Sequence, residues 1–267
     1  MTLRLKSCDH IGPGVEKVWK SGNTLNGVIV ESDRPLADIE LDDHRQGIPL
    51  AVMAPSLGHF RHLAKHLDRL RNLSLRVYLP CDHPDNLASL RILSSVGIHC
   101  CADFRPGRTD WESLADLATY ALLGRVPHAA IEPFVFMAAN YHSSQYIDWG
   151  RVTFDDPRYF LHLDEAGRVA LSQAELDEKR FVAHRLSEIG TPEEFPPIRE
   201  RLQSWKHYFA DNHPCASCAG WKICHGKFSD DLTRKPGCSE FFMDLIDLIR
   251  QRLALQVAQE ERRIWQP

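Results

Sequence analysis

The stretch "LSLRVYLPCDHPDNLASLRILSSVGIHCCADF", residues 73–104, decides the fold class. Its first part, "LSLRVYLP" (73–80), is a short apolar run bounded by turn residues, the pattern of a strand. "PDNLASLRILSSVG" (84–97) has helical spacing, with Pro84 in the first turn and Gly97 just past the end. "IHCCADF" (98–104) is a second strand. A strand, a helix and a strand in this order join parallel strands through a crossover, so the sequence predicts an α/β layer.

Outward from this unit the pattern repeats. "TDWESLADLATYALLG" (109–124) predicts a helix opened by Thr109 and Glu112 in capping-box spacing and stopped by Gly124. Upstream, "GVIVES" (27–32) and "IPLAVMA" (48–54) read as strands, and "GHFRHLAKHLDRL" (58–70) places Phe60, Leu63, Ala64, Leu67 and Leu70 on one helical face. Only four or five strands fit before about residue 125, which is half of an eight-stranded barrel. The expectation is therefore a truncated, TIM-barrel-like parallel sheet over residues 1–148.

Beyond 148 the pattern changes. "YFLHLDEAGRVALS" (159–172) predicts a hairpin turning at Glu165–Gly167. "IRERLQSWKHYF" sets Ile198, Leu202, Trp205 and Phe209 on a helical face, and Phe242, Leu245, Ile246, Ile249 and Leu253 mark a terminal amphipathic helix. Residues 149–267 thus form a smaller α+β unit in this reading, with no internal repeat or low-complexity segment.

Composition bounds the function. The 267 residues are 43% hydrophobic, enough to bury a core, and the net charge of −4 gives no overall basic field for nucleic acid or an anionic membrane. The N-terminus lacks the apolar run of a signal peptide, and the most apolar stretch, "AAIEPFVFMAA", carries Glu132 and Pro133 and is too short to span a bilayer. A cytoplasmic protein is expected, in which the eight cysteines stay reduced and a clustered set binds metal.

The clustered set is Cys215-x2-Cys218-x5-Cys224-x13-Cys238, within and after "CASCAGWKICHGKF" (215–228). Four soft thiolates suit zinc or an iron–sulfur cluster. Zinc ribbons and fingers usually supply two short pairs, whereas here the third cysteine stands alone and the fourth is remote, a spread that a cubane accepts. Gly220 and Gly226 would let the backbone pass close to inorganic sulfide, Trp221 would shield it, and His225 is either a substitute ligand or a bystander. Three readings stay open: a [4Fe–4S] cluster, zinc, and unmetallated core cysteines.

The segment resembles the SPASM domain, the C-terminal extension of radical S-adenosylmethionine enzymes that mature peptides and proteins. The resemblance is specific over about residues 159–240 and architectural over 25–148. It implies that Cys215, Cys218, Cys224 and Cys238 hold one auxiliary [4Fe–4S] cluster. The neighbouring auxiliary cluster is not supported, because the family's ligand positions fall on Phe228 and, in the Gly-x4-Cys hairpin counted from Gly167, on Ser172. The Cys-x3-Cys-x2-Cys triplet that holds the reactive cluster is also missing: from Cys8 its next positions are Gly12 and Val15, and Cys81, Cys100 and Cys101 do not fit. The resemblance therefore implies a pseudoenzyme without S-adenosylmethionine as cofactor: a non-radical accessory or scaffold protein that binds a peptide, a protein substrate or a partner maturation enzyme. A redox enzyme (reductase or radical type) acting with a partner chain, and a zinc-stabilised binding module, are the alternatives.

Other features have plainer expectations. His59, His62 and His66 form a stripe read as a solvated helix edge. Cys81, Cys100 and Cys101 read as small buried hydrophobes. Asp82, His83 and Asp85 read as a helix start, and Asp42, Asp43 and His44 lie in a polar loop.

Overall fold

The structure is a computed structural model describing residues 2–6, 10–20, 22, 24–39, 47–154, 156–229 and 237–264. Six strands pair in parallel, and their order across the sheet is their order along the chain. They are β1 (Thr2–Leu5), β2 (Gly27–Glu31), β3 (Leu50–Met53), β4 (Leu75–Pro80), β5 (His99–Asp103) and β6 (Ile131–Glu132). Between them run α1 (Ile11–Lys20), α2 (Phe60–Ala64), α3 (Leu67–Asn72), α4 (Pro84–Ser95) and α5 (Trp111–Leu123). Where strand order never reverses, right-handed crossovers bring successive helices to one face of the sheet.

Side-chain alternation splits the strands between two faces. Val28, Val30, Val52, Val77, Leu79, Cys100 and Ala102 join the main core with Leu90, Leu93, Leu114 and Leu117 of α4 and α5. Ile29, Ala51, Tyr78 and Cys101 face the other way and meet Val152.

The strands expected at 27–32, 48–54, 73–80 and 98–104 all form. β1 and α1 lie upstream of that reading, and β6 is two residues long. The helix expected over 58–70 is broken into α2 and α3: His66 N–H bonds Leu63 O at 2.9 Å, a tight turn that lets Leu63 and Leu70 both reach the core while Ala64 stays exposed. The cap of α5 also differs from expectation. Asp110 caps it, accepting from Ser113 N–H at 3.2 Å, while Thr109 donates to Arg105 O at 2.8 Å in the loop before it.

After β6 come α6 (Phe134–Ala139) and α7 (Gly150–Thr153). The hairpin forms as β7 (His162–Leu163) paired antiparallel with β8 (Val169–Ala170), then α8 (Gln173–Asp177) and α9 (Pro196–Ala210). In α9 only Ile198 is buried; Leu202 and Phe209 are exposed. Two short helices, α10 (Pro214–Ser217) and α11 (Trp221–Cys224), precede the long α12 (Cys238–Ile264).

Helix α12 does not form a separate core. Phe242, Leu245, Ile246 and Ile249 are buried in the same cluster as Leu79 and Leu114, so the apolar interior runs through position 148. Phe104, Trp111, Trp149, Phe228, Phe241 and Phe242 meet ring to ring at the junction, with centroids 5.1–6.4 Å apart. At the other end, Arg252 donates to the Leu122 carbonyl at 3.1 Å, satisfying an end carbonyl of α5. Among the described residues, no helix is long and apolar enough to cross a membrane.

Candidate metal centre

The four clustered cysteines sit on three short pieces of chain that converge on the start of α12. Cys215 lies in the first turn of α10, whose cap is His213, accepting from Cys215 N–H at 3.2 Å. Cys218 follows that turn, Cys224 ends α11, and Cys238 opens α12. Cys218 Sγ lies 3.5 Å from Ser239 Oγ, and Cys238 Sγ donates to Phe228 O at 3.2 Å. These contacts bring the remote fourth cysteine to the other three. Cys215, Cys224 and Cys238 are buried and Cys218 is half-buried.

Their fields overlap. Burial pushes the Cys224 thiol up to about 12; the Gly226 N–H opposes this, and Cys218, Cys238 and Cys215 add to it. Burial, then Cys218, raises Cys215 as well. Such thiols stay protonated until a cation replaces the proton, as metal-ligating cysteines do. The N-terminus of α12 also favours negative charge near Cys238.

Among the described residues, no three His, Cys, Asp or Glu side chains stand together as a site for a single metal ion. Tetrahedral zinc would draw its sulfurs to about 3.8 Å from one another, given bonds of about 2.3 Å. A cubane instead spreads its ligands over separate irons. The donor set here is four thiols, of which Cys215, Cys218 and Cys238 act on Cys224 through their charge.

The neighbours of the four cysteines have packing roles of their own. A Cβ on Gly220 would lie 2.5 Å from Phe242 Cβ, and one on Gly226 (φ +76°) 3.0 Å from the rings of Trp221 and Tyr208. Both glycines are demanded by protein packing. Trp221 is buried against Trp205, Tyr208 and Phe209. His225 ends α11 in the left-handed region (φ 51°), its Nε2 is 3.2 Å from Lys222 O, and its ring meets Trp205 and Tyr146. Burial lowers its pKa. It shapes the turn.

Phe228 and Ser172, the two positions that the resemblance sets against family ligands, each have a structural role. Phe228 is 1% exposed, at the middle of the junction of rings. Ser172 caps α8, accepting from Glu175 N–H at 3.2 Å, while Glu175 accepts from Leu171 N–H at 3.0 Å.

Beside Cys224 opens a cleft of about 310 Å³, walled by Trp149, Arg158, Arg201, Trp205 and Lys227. Arg158 binds Asp156 at 2.5 Å and Asp148 at 2.6 Å, and Arg201 lies 3.7 Å from Asp156. Lys227 stands 5.0 Å over the Trp149 ring. The cleft carries three cations to two carboxylates, a surplus no single motif announces.

The remaining candidates fall apart. His62 is 3.8 Å from Asp38 and mostly exposed, and His59 and His66 are helix-cap positions. His83 caps α4 through Asp85 N–H at 3.2 Å. Cys100 and Cys101 point to opposite faces of β5; they and Cys81 are at most 1% exposed, and burial raises all three thiols. Cys8 and the loop with Asp42, Asp43 and His44 lie outside the described residues. Comparison of the chain with protein-family models, with curated proteins and with solved structures gives no match.

Proposed function

We propose that this chain is a non-radical accessory or scaffold protein of a peptide or protein modification pathway, with Cys215, Cys218, Cys224 and Cys238 holding one [4Fe–4S] cluster. In this reading the six-stranded sheet is the truncated barrel of a degenerate radical-type enzyme acting in the cytoplasm, and residues 149–267 are its SPASM-like part. The observation that carries the proposal is the convergence of four thiols from α10, α11, the loop between them and the first residue of α12. When bound, the cluster supplies structure or a route for single electrons. The chain's own residues bury three of the four sulfurs, hold the approach of α12 through Gly220, and present the cationic cleft beside Cys224 to an acidic partner segment.

The test is anaerobic purification followed by iron and sulfide analysis with a visible spectrum. Equal iron and acid-labile sulfide, with broad absorption that bleaches on reduction, supports the reading. Stoichiometric zinc without sulfide, or metal-free protein of full stability after reconstitution, refutes it. Co-purification of a peptide or maturation enzyme with the native chain, lost with Arg201→Glu, tests the partner.

A further inference from the structure

We infer that the sheet's second face carries a binding site for a small organic anion, at the amino edge of the strands and separate from the thiols. Thr2, Gly27, Leu50, Leu75 and His99 are the first residues of β1 to β5, and all five line one cavity of about 560 Å³. That volume lies within the range of small-molecule sites. The general rule for α/β folds puts ligands at the carboxyl edge, so nothing in the fold class points here.

The register supplies the chemistry. Ala51 pairs with Arg76, and Arg76 with His99, so these three stand side by side across β3, β4 and β5. Alternation puts them on the face of Tyr78 and Cys101, away from the main core. Arg76 and His99 thus stand on neighbouring strands whose backbones lie about one strand spacing, ~4.8 Å, apart. Ala51, small and buried, leaves room beside them.

The wall of the cavity is cationic and apolar. It holds Arg71, Arg76, His99, Ser74 and the rings of Tyr78 and Phe154, and no Asp or Glu is among its lining residues. Arg71 is committed to Val96 O at 2.6 Å and Asp68 at 3.2 Å. Arg76 has Glu132 at 4.0 Å, while the other oxygen of Glu132 accepts from Phe136 N–H at 2.8 Å. The Arg76 side chain also bonds the Tyr78 hydroxyl, and the guanidinium fork, with more N–H groups than these two partners take, keeps donors for an oxyanion. Tyr78 is fixed by donating to Val152 O at 2.9 Å, and Phe154 is held in the left-handed region (φ 59°) with its ring 5.6 Å from Tyr78. An aromatic residue there is an outlier maintained by its surroundings. It places a flat apolar wall next to the donors. The ligand class that matches is a carboxylate or phosphate on a body the size of an aromatic ring.

Calorimetric titration of the full chain with phenyl phosphate, benzoate and inorganic phosphate tests this. Binding of either organic anion is expected, weakened about ten- to a hundredfold by Arg76→Met, the loss typical of a charge-assisted hydrogen bond. His99→Gln should weaken it severalfold; this side chain is exposed, so the variant decides the matter where Arg76→Met fails to fold. Tighter binding of phenyl phosphate assigns a phosphate monoester, and tighter binding of benzoate a carboxylate. No binding of either organic anion at millimolar concentration overturns the site. So does unchanged affinity in His99→Gln and in folded Arg76→Met. Equal affinity for inorganic and phenyl phosphate removes the role of the apolar wall and overturns the organic-anion assignment.

Discussion

Replacing Phe228 by Ala probes whether the cysteine-bearing segment and the sheet share one core. Phe228 is 1% exposed and its ring lies 5.1 Å from Trp111, 5.7 Å from Phe242, 6.1 Å from Phe104 and 6.4 Å from Trp149. Those four rings come from α5, α12 and two loops, so the void left by truncation cannot close without moving two long helices. Phe-to-Ala changes at such sites cost about 3–5 kcal/mol, from lost transfer energy and an unfilled cavity. At roughly 2–4 °C per kcal/mol for chains near this size, the melting temperature should fall by about 6–20 °C. The assay is urea and thermal unfolding of native and variant chains at matched metal content, followed by both far-ultraviolet dichroism and tryptophan fluorescence. Fluorescence is apt because Trp111 and Trp149 are members of the group. A loss below about 1 kcal/mol would show that the ring is not a structural joint, since that is the cost of an ordinary substitution. Two well-separated transitions in the native chain would refute the shared core outright.

Cys218→Ala and Cys224→Ala should lose most bound iron, and Cys101→Ala, buried on β5, should lose none. Native protein should load about four irons per chain, and reproducible loading near twice that would reveal a second cluster. Reduced, iron-loaded protein should release no 5′-deoxyadenosine from S-adenosylmethionine above a cluster-free control; turnover by the isolated chain would overturn the pseudoenzyme reading. Asp156→Asn should destabilise by about 1.5–3 kcal/mol at neutral pH. Burial raises that carboxyl's pKa, but the Arg158 hydrogen bonds and charge outweigh it and hold the carboxyl below its usual range. Its contribution is therefore complete above about 3.9 and lost as pH falls through the depressed value, so acid unfolding curves of variant and native chains should converge there.

The strands from 27 to 104 were legible because each is a compact apolar run between turn residues, and α4 because Pro84 and Gly97 punctuate it. Helix α1 was not legible: Gly12, Pro13 and Gly14 in its first turns are poor helix formers, though proline is tolerated at a helix start and Val15 and Val18 are buried. β6 is too short to carry a period. In α9 the expected face proved mostly exposed: Ile198 is its one buried residue, while Trp205, Tyr208 and Phe209 meet Trp221 with rings that stay partly open to solvent. The spacing of the four cysteines was plain in the sequence. Their gathering was not, since it depends on where α12 docks. Arg76 and His99 went unnoticed for a related reason: a strand sequence gives alternation, but only the register says which neighbours share a face.

The docking of α12 onto α5 also dictates an order of events while the chain is being made. Arg252 and the Leu122 carbonyl that it meets are separated by 130 positions. At ribosomal rates of about 5–20 residues per second, that interval lasts roughly 7–26 s. Throughout it, the five strands β1 to β5 and the helices between them are already outside the tunnel or nearly so, while the side of α5 that will meet α12 has nothing against it. Trp111, whose ring finally rests 5.8 Å from Phe242, spends this time as an adhesive patch on a nascent protein. A stalled or truncated transcript would prolong that state, which makes the last helix the step on which escape from aggregation depends.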